Sequence, residues 1–192
     1  MIYLVFSRGG YRNTLEEQRA MSHNLLKTGR AEEYALDIRK CSLVTNIWGK
    51  PFLRNNQNIY FSISHCRGGA ALSISSCKTG IDIEKIRPHS MLAGRKMFTE
   101  DEFTAVTQSS DPERDFFRFW TLKESYAKAL GTGLAYSMHK ISFSIGRDKQ
   151  VECSKKGCRF GLFENEWGFV AAVCFLCHDE GLMEAVVSRY LP

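Results

Sequence analysis

The 192 residues carry 26 lysines and arginines against 21 aspartates and glutamates, a net charge of +5, with 44% hydrophobic and 24% charged side chains. That is enough chain to bury one large core or two small ones, and the longest apolar stretch, 168–176, falls short of the ~18 to 20 residues a membrane helix requires. The positive balance leans towards an acidic partner but is too weak to imply nucleic acid, because bases and acids are interleaved and no run of five or six like charges occurs.

Met1–Phe6 reads as a strand without the basic start of an export signal, so a soluble cytoplasmic protein is expected, with no membrane partner. Thr14-Leu15-Glu16-Glu17 is a capping-box pattern opening a helix that ends near Gly29, and a second helical pattern runs from about Ala31 to Ser42. Gly49-Lys50-Pro51 breaks the chain. Strands are expected at Ile59–Ser64, Ala70–Ser75 and Gly80–Glu84, the last stopped by Pro88. Thr99-Glu100-Asp101-Glu102 and Ser110-Asp111-Pro112-Glu113 are two further capping boxes. The helix begun by the latter should run to Leu130 and stop at Gly131, packing through Phe116, Phe119, Trp120, Ala127 and Leu130. Strand-like runs follow at Ile141–Ile145, Cys158–Phe163 and Gly168–Leu176. Strands and helices grouped in blocks, without regular βαβ alternation, indicate an α+β fold.

Three short segments carry chemistry. In Gly80-Ile81-Asp82-Ile83-Glu84 the period of two sends both isoleucines to one face and both acids to the other, about 6 to 7 Å apart along the strand. Repelling carboxylates so placed suit a hard divalent cation such as Mg²⁺, although an exposed edge strand with solvated acids has the same pattern. Glu124 and Lys128 share a helix face with Phe117 and Thr121, where an i,i+4 pair is also an ordinary surface device worth roughly 0.2 to 0.5 kcal/mol. Ser62-Ile63-Ser64-His65 ends an alternating strand in an imidazole, a capped surface residue or a group for a phosphate.

In order and spacing these pieces resemble the 4'-phosphopantetheinyl transferase superfamily, in its larger single-chain, surfactin-synthetase-activating type. The likeness runs from Trp48 to about Leu134 through Gly49-Lys50-Pro51, Phe61-Ser62-Ile63-Ser64-His65, Gly80-Ile81-Asp82-Ile83-Glu84 and Phe119-Trp120-Thr121-Leu122-Lys123-Glu124-Ser125-Tyr126-Ala127-Lys128. It implies one unit over 1–192 with two similar α+β lobes, approximately 1–88 and 89–192, and coenzyme A in the cleft between them. It further implies transfer of 4'-phosphopantetheine from coenzyme A to a serine of an apo acyl- or peptidyl-carrier protein, leaving adenosine 3',5'-bisphosphate. Asp82, Glu84 and Glu124 would hold Mg²⁺; Lys50, Pro51, Ser64, His65 and Lys128 would contact coenzyme A; Glu124 and Lys128 would be catalytic, Glu124 as the base. Arg30, ahead of Arg39 and Lys40, is the candidate for the 3'-phosphate, since Thr28-Gly29-Arg30 resembles the family's small-Gly-Arg element. Ser62 stands where relatives commonly carry Asn, and Glu102 is either a catalytic residue of the family pattern or only the partner of the Thr99 cap, which explains the same spacing. A chain holding both lobes is expected to act as a monomer.

The seven cysteines are odd in number and scattered, as free thiols in a reducing compartment are. Cys174-Phe175-Leu176-Cys177-His178 has the spacing of a haem attachment site, and Cys153, Cys158, Cys174 and Cys177 that of a zinc ribbon. Both conflict with the strand pattern there, which sends Cys174 and Cys177 to opposite faces. A nucleotide hydrolase would be expected to bring a Gly-rich phosphate loop, and the chain has none.

Overall fold

The computed structural model describes residues 2–6, 14, 16–18, 20, 25, 42–54, 58–133, 137–177 and 186–188. In chain order these form strands β1 (Ile2–Phe6), β2 (Leu43–Thr45), β3 (Pro51–Leu53), β4 (Tyr60–Cys66), β5 (Gly69–Ser75) and β6 (Lys78–Lys85), then helices α1 (Met91–Met97), α2 (Glu100–Thr107) and α3 (Pro112–Leu130). After a short 3-10 turn at Met138–Lys140 come β7 (Phe143–Ile145), β8 (Val151–Cys153), β9 (Arg159–Glu164), β10 (Phe169–Leu176) and β11 (Val186–Ser188). One sheet has the order β11-β1-β5-β4 and a second β6-β10-β9, with β2-β3 and β7-β8 as separate hairpins. The fold is α+β, as the blocked pattern predicts.

Strand β10 explains how the layers stack. Phe169, Ala171, Val173 and Phe175 join Ile81 and Ile83 in a cluster with Ile2, Leu4, Phe6 and Ala71 of the first sheet. Val170, Ala172 and Cys174 instead pack with Phe116, Phe119, Leu122, Tyr126 and Ala127 of α3. A strand buried on both faces reads as a continuous apolar run, which is how 168–176 reads. Register then fixes β6: Gly80, Asp82 and Glu84 lie opposite Cys174, Ala172 and Val170, on the face turned to α3. Helix α3 approaches that face closely because Gly80 has no side chain. A Cβ there would lie 2.0 Å from the Ser125 carbonyl oxygen and 2.3 Å from the Ala129 nitrogen.

Helix ends follow local chemistry. Thr99 and Glu102 make a reciprocal capping box at α2, and Thr14 with Glu17 makes another. Helix α3 corrects the expectation of a Ser110 cap: the N-cap is Asp111, whose carboxylate accepts from the Arg114 N–H, with Pro112 in the first turn. It ends at Gly131, whose φ of 75° lies in the left-handed region. Glu16–Gln18, Ala20 and Leu25 are helical, as the Thr14 cap predicts. The helix end near Gly29 and the helix expected over Ala31–Ser42 lie outside the described residues, save Ser42, which is not helical. The hairpin β2-β3 and the strand β8 at Cys153 were not foreseen, since three residues are too few to display a period.

Candidate functional site

Strands β4 and β6 are edges of different sheets, and they meet through serine hydroxyls where a ladder would otherwise run. Ser62 Oγ accepts from the Ile81 N–H at 3.1 Å, and Ser64 Oγ donates to Asp82 Oδ1 at 2.8 Å. Helix α3 covers this seam and adds Lys128, whose Nζ donates to Asp82 Oδ1 at 2.6 Å and to Ser64 Oγ at 2.9 Å. Asp82 is buried, and its second oxygen, Oδ2, has no hydrogen-bond partner among the described residues. An unsatisfied buried carboxylate oxygen is costly, and its presence marks a place built for something beyond the fold.

The neighbouring acids sharpen that imbalance. Glu84, on the same face of β6, accepts from Arg87 Nη1 at 2.7 Å. Burial and then the Asp82 charge raise its carboxyl above the usual range, against the pull of Arg87 and Lys128. Burial and the Asp82 charge push Glu124 up to about 7, with Lys128 opposing and Glu84 adding to the rise. Three carboxyls therefore feel one another across a space served by one ammonium and one half-exposed guanidinium. Among the described residues no three His, Cys, Asp or Glu side chains close up as a ready metal cage. Even so, the orphaned Oδ2 and the mutual repulsion of Asp82, Glu84 and Glu124 fit a hard divalent cation with open positions for water and phosphate oxygens.

The remaining candidates distribute unevenly. Ser64 lies in the seam, whereas His65, one residue on and half-buried, takes the other face of β4 by alternation. One ligand touches both only by lying across the end of that strand. Pro51 opens β3 beside the C-terminal end of α3, and Lys50 turns inward: its Nζ donates to the carbonyls of Thr79 (3.0 Å), Ala129 (3.4 Å) and Lys128. Burial lowers the Lys50 pKa to about 8. Arg30, Arg39 and Lys40 lie outside the described residues. Glu102 is a cap, and more: it is fully buried, accepts from the Phe143 N–H at 2.8 Å and pairs with Lys123 Nζ at 2.7 Å.

Sequence reasoning overlooked Gly80, Asn46 and Lys123. A glycine inside an alternating strand signals close backbone approach, so Gly80 was within reach. Asn46 sits three residues before Gly49 in a turn that only the hairpin makes visible. None of the six described cysteines forms a disulfide with another of them. Cys174 packs with α3 while Cys177 packs on the opposite cluster, which splits the Cys-x-x-Cys pair between two cores. No described helix is long and apolar enough to cross a membrane.

Comparison with known proteins identifies the family of the chain. The sequence profile of the 4'-phosphopantetheinyl transferase superfamily matches residues 78–174, from β6 through α3 to β10. The 4'-phosphopantetheinyl transferase Sfp of Bacillus subtilis (strain 168) is 29% identical over 156 residues, covering 78% of this chain and 70% of that protein. The L-aminoadipate-semialdehyde dehydrogenase-phosphopantetheinyl transferase of Saccharomyces cerevisiae is 32% identical over 130 residues, 56% of this chain and 48% of that one. Among solved structures, the holo-acyl-carrier-protein synthase of Thermotoga maritima matches 54% of this chain and 64% of its own, with a TM-score of 0.46 at 20% identity.

Proposed function

We propose, since this chain belongs to the 4'-phosphopantetheinyl transferase superfamily, that it moves 4'-phosphopantetheine from coenzyme A to a serine of an apo acyl- or peptidyl-carrier protein in a Mg²⁺-dependent reaction. The observation that carries this reading is the seam itself. Lys128 and Ser64 meet Asp82 through one oxygen, while its other oxygen has no partner among the described residues and stands beside two further acids.

Phosphoryl transfer asks for positioning and for neutralisation of charge on the transferring group more than for covalent help. Mg²⁺, held by Asp82, Glu84 and Glu124, would supply that neutralisation at the pyrophosphate of coenzyme A. Lys128 faces the same space and would orient the phosphates and offset charge as the leaving group departs. Glu124 takes the proton from the serine hydroxyl, and its raised pKa suits a base working near neutrality. The serine Oγ then forms a bond to the phosphorus that carries pantetheine. The bond from that phosphorus to the adenosine bisphosphate oxygen breaks, and its electron pair leaves with adenosine 3',5'-bisphosphate. Ser64, His65 and the Pro51 segment line the approach for the nucleotide, and Arg30 is the candidate for its 3'-phosphate.

The test is the intact mass of an apo-carrier protein after incubation with this protein, coenzyme A and Mg²⁺. One added phosphopantetheine arm, lost when the carrier serine is replaced by alanine, is the expected result. An unmodified carrier across fatty-acid, polyketide and peptide types would end the proposal.

A further inference from the structure

The turn that joins β2 to β3 makes unusual contacts for an exposed hairpin. Asn46 Oδ1 accepts from the N–H groups of Trp48 and Lys50, both at 2.9 Å, and Gly49 adopts a φ of 81°, so the turn has a fixed shape. From that frame two side chains reach the C-terminal end of α3. Asn46 Nδ2 donates to the Gly131 carbonyl at 2.8 Å, and Lys50 Nζ donates to those of Lys128 and Ala129. A helix leaves its last carbonyls without partners inside the helix, and that end carries partial negative charge. An ammonium and an amide placed there satisfy both requirements. The same Lys50 ammonium also binds the Thr79 carbonyl, next to Gly80, where the backbones of β6 and α3 come closest.

We propose that the Asn46–Lys50 turn is a latch on the last turn of α3, and that Lys50 is a positioning residue acting through Lys128. Lys128 contributes its backbone carbonyl to the latch and its ammonium to Asp82 and Ser64, so one residue is held at both ends. If the last turn of α3 frays, the Lys128 Cα shifts and its ammonium leaves the seam. A displacement of about 1 Å is enough to cost on the order of 100-fold in a site that works by orientation. This assigns Lys50 a role different from a direct contact with coenzyme A, and it rests on the reaction proposed above.

Two measurements test it together on the full-length protein. Lys50→Met keeps the length and removes the charge; hydrogen exchange at amides 126–131 should quicken by at least ~10-fold, while amides in the first half of α3 stay as in the wild type. In the carrier-loading assay the same variant should lose roughly 10-fold in kcat, with any rise in KM for coenzyme A no larger than Lys128→Met itself produces, and should cost nothing further in a Lys128→Met background. Lys50→Arg should recover part of the kcat. A raised KM with kcat retained, or additivity with Lys128→Met, would make Lys50 a ligand contact and overturn the latch, as would unchanged exchange. If Lys50→Met fails to fold, Asn46→Ser removes the Gly131 bond and leaves a hydroxyl as a weaker acceptor for the turn, and should give the same signature at about a third of the size; its absence counts against the latch. A wild-type protein that loads no carrier would defeat the reaction and not the latch, which exchange alone then decides.

Discussion

Lys123 and Lys128 leave the same helix five residues apart, and each closes on a carboxylate from another element. Around Lys123 every charge is answered. Its ammonium binds Glu102 and the carbonyls of Met138 and Ile141, and Glu102 in turn accepts from the N–H groups of Thr99 and Phe143. Around Lys128 the count does not close: one ammonium stands among Asp82, Glu84 and Glu124, and Asp82 Oδ2 has no partner among the described residues. Both pairs are acid with lysine, and Glu102 is buried at least as deeply as Asp82. Burial therefore does not separate a structural pair from a reactive one. Saturation of the donors and acceptors does, because a satisfied network gains nothing from a ligand while an unsatisfied one does.

The largest expected effect breaks the saturated pair. Lys123→Met leaves the Glu102 charge buried without its cation and should cost about 3 to 5 kcal/mol of stability in urea unfolding. Turnover per folded molecule should stay near the wild-type value. A variant that stays stable but loses turnover would put Lys123 in the site and erase the contrast.

Next come the unsaturated acids. Asp82→Ala should lower transfer by about 10²- to 10³-fold at ordinary Mg²⁺ with the fold intact, since it removes an acid whose free oxygen the fold does not use. Glu84→Ala should follow with a smaller loss, because Glu84 already has Arg87 as a partner. Mg²⁺ titration of the rate discriminates: near-normal turnover in both variants would remove these residues from metal binding.

Glu124→Gln is the milder change in the same cluster. The amide keeps the size and one oxygen but cannot accept the serine proton, so kcat should fall by ~10²-fold with coenzyme A affinity changed much less. Lys128→Ala should move both, as a cation on the pyrophosphate aids binding and reaction alike. Were the two residues only an exposed i,i+4 pair, each change would cost a few tenths of a kcal/mol of stability and nothing in rate.

Much of this contrast was legible beforehand, and the part that was not has physical causes. The alternation in Gly80–Glu84 places Asp82 and Glu84 on one face, and the i,i+4 spacing aligns Glu124 with Lys128; both are local periodicities. Thr99 with Glu102 reads as a cap for the same reason. What sequence could not supply was the second partner of Glu102, because Lys123 and Phe143 come to it from other elements. Lys50 was incompletely legible for a related reason. The resemblance puts it in contact with coenzyme A, and nothing local to Gly49-Lys50-Pro51 announces the three carbonyls, distant in sequence, that turn it inward. Arg30 has no structural counterpart among the described residues, so its assignment still rests on motif likeness.

The smallest effect comes from a third acid, Glu164, which separates saturation from mere proximity to the site. Burial would raise its carboxyl, but hydrogen bonds from Arg118 and Lys149 and their charges bring it down to about 2. Glu164 receives Arg118 Nη2 at 3.0 Å and lies 3.0 Å from Lys149 Nζ, so it is answered as fully as Glu102. A carboxyl whose folded pKa lies below its unfolded value adds stability above about pH 5, and that contribution disappears as pH falls towards 2. With Lys149 half-exposed and screened by solvent, it should be worth roughly 1 to 2 kcal/mol at neutral pH. Glu164→Gln should lower Tm at pH 7 by the corresponding few degrees and flatten the fall in Tm between pH 5 and 2. Carrier loading at pH 7 should be unaffected, because Glu164 is already answered by Arg118 and Lys149 although it lies in the same cross-strand row as Glu84. If Glu164→Gln instead left the acid limb of the Tm profile unchanged, the depressed carboxyl would contribute nothing to folding. Saturation would then be a poor guide to which acids hold the structure together.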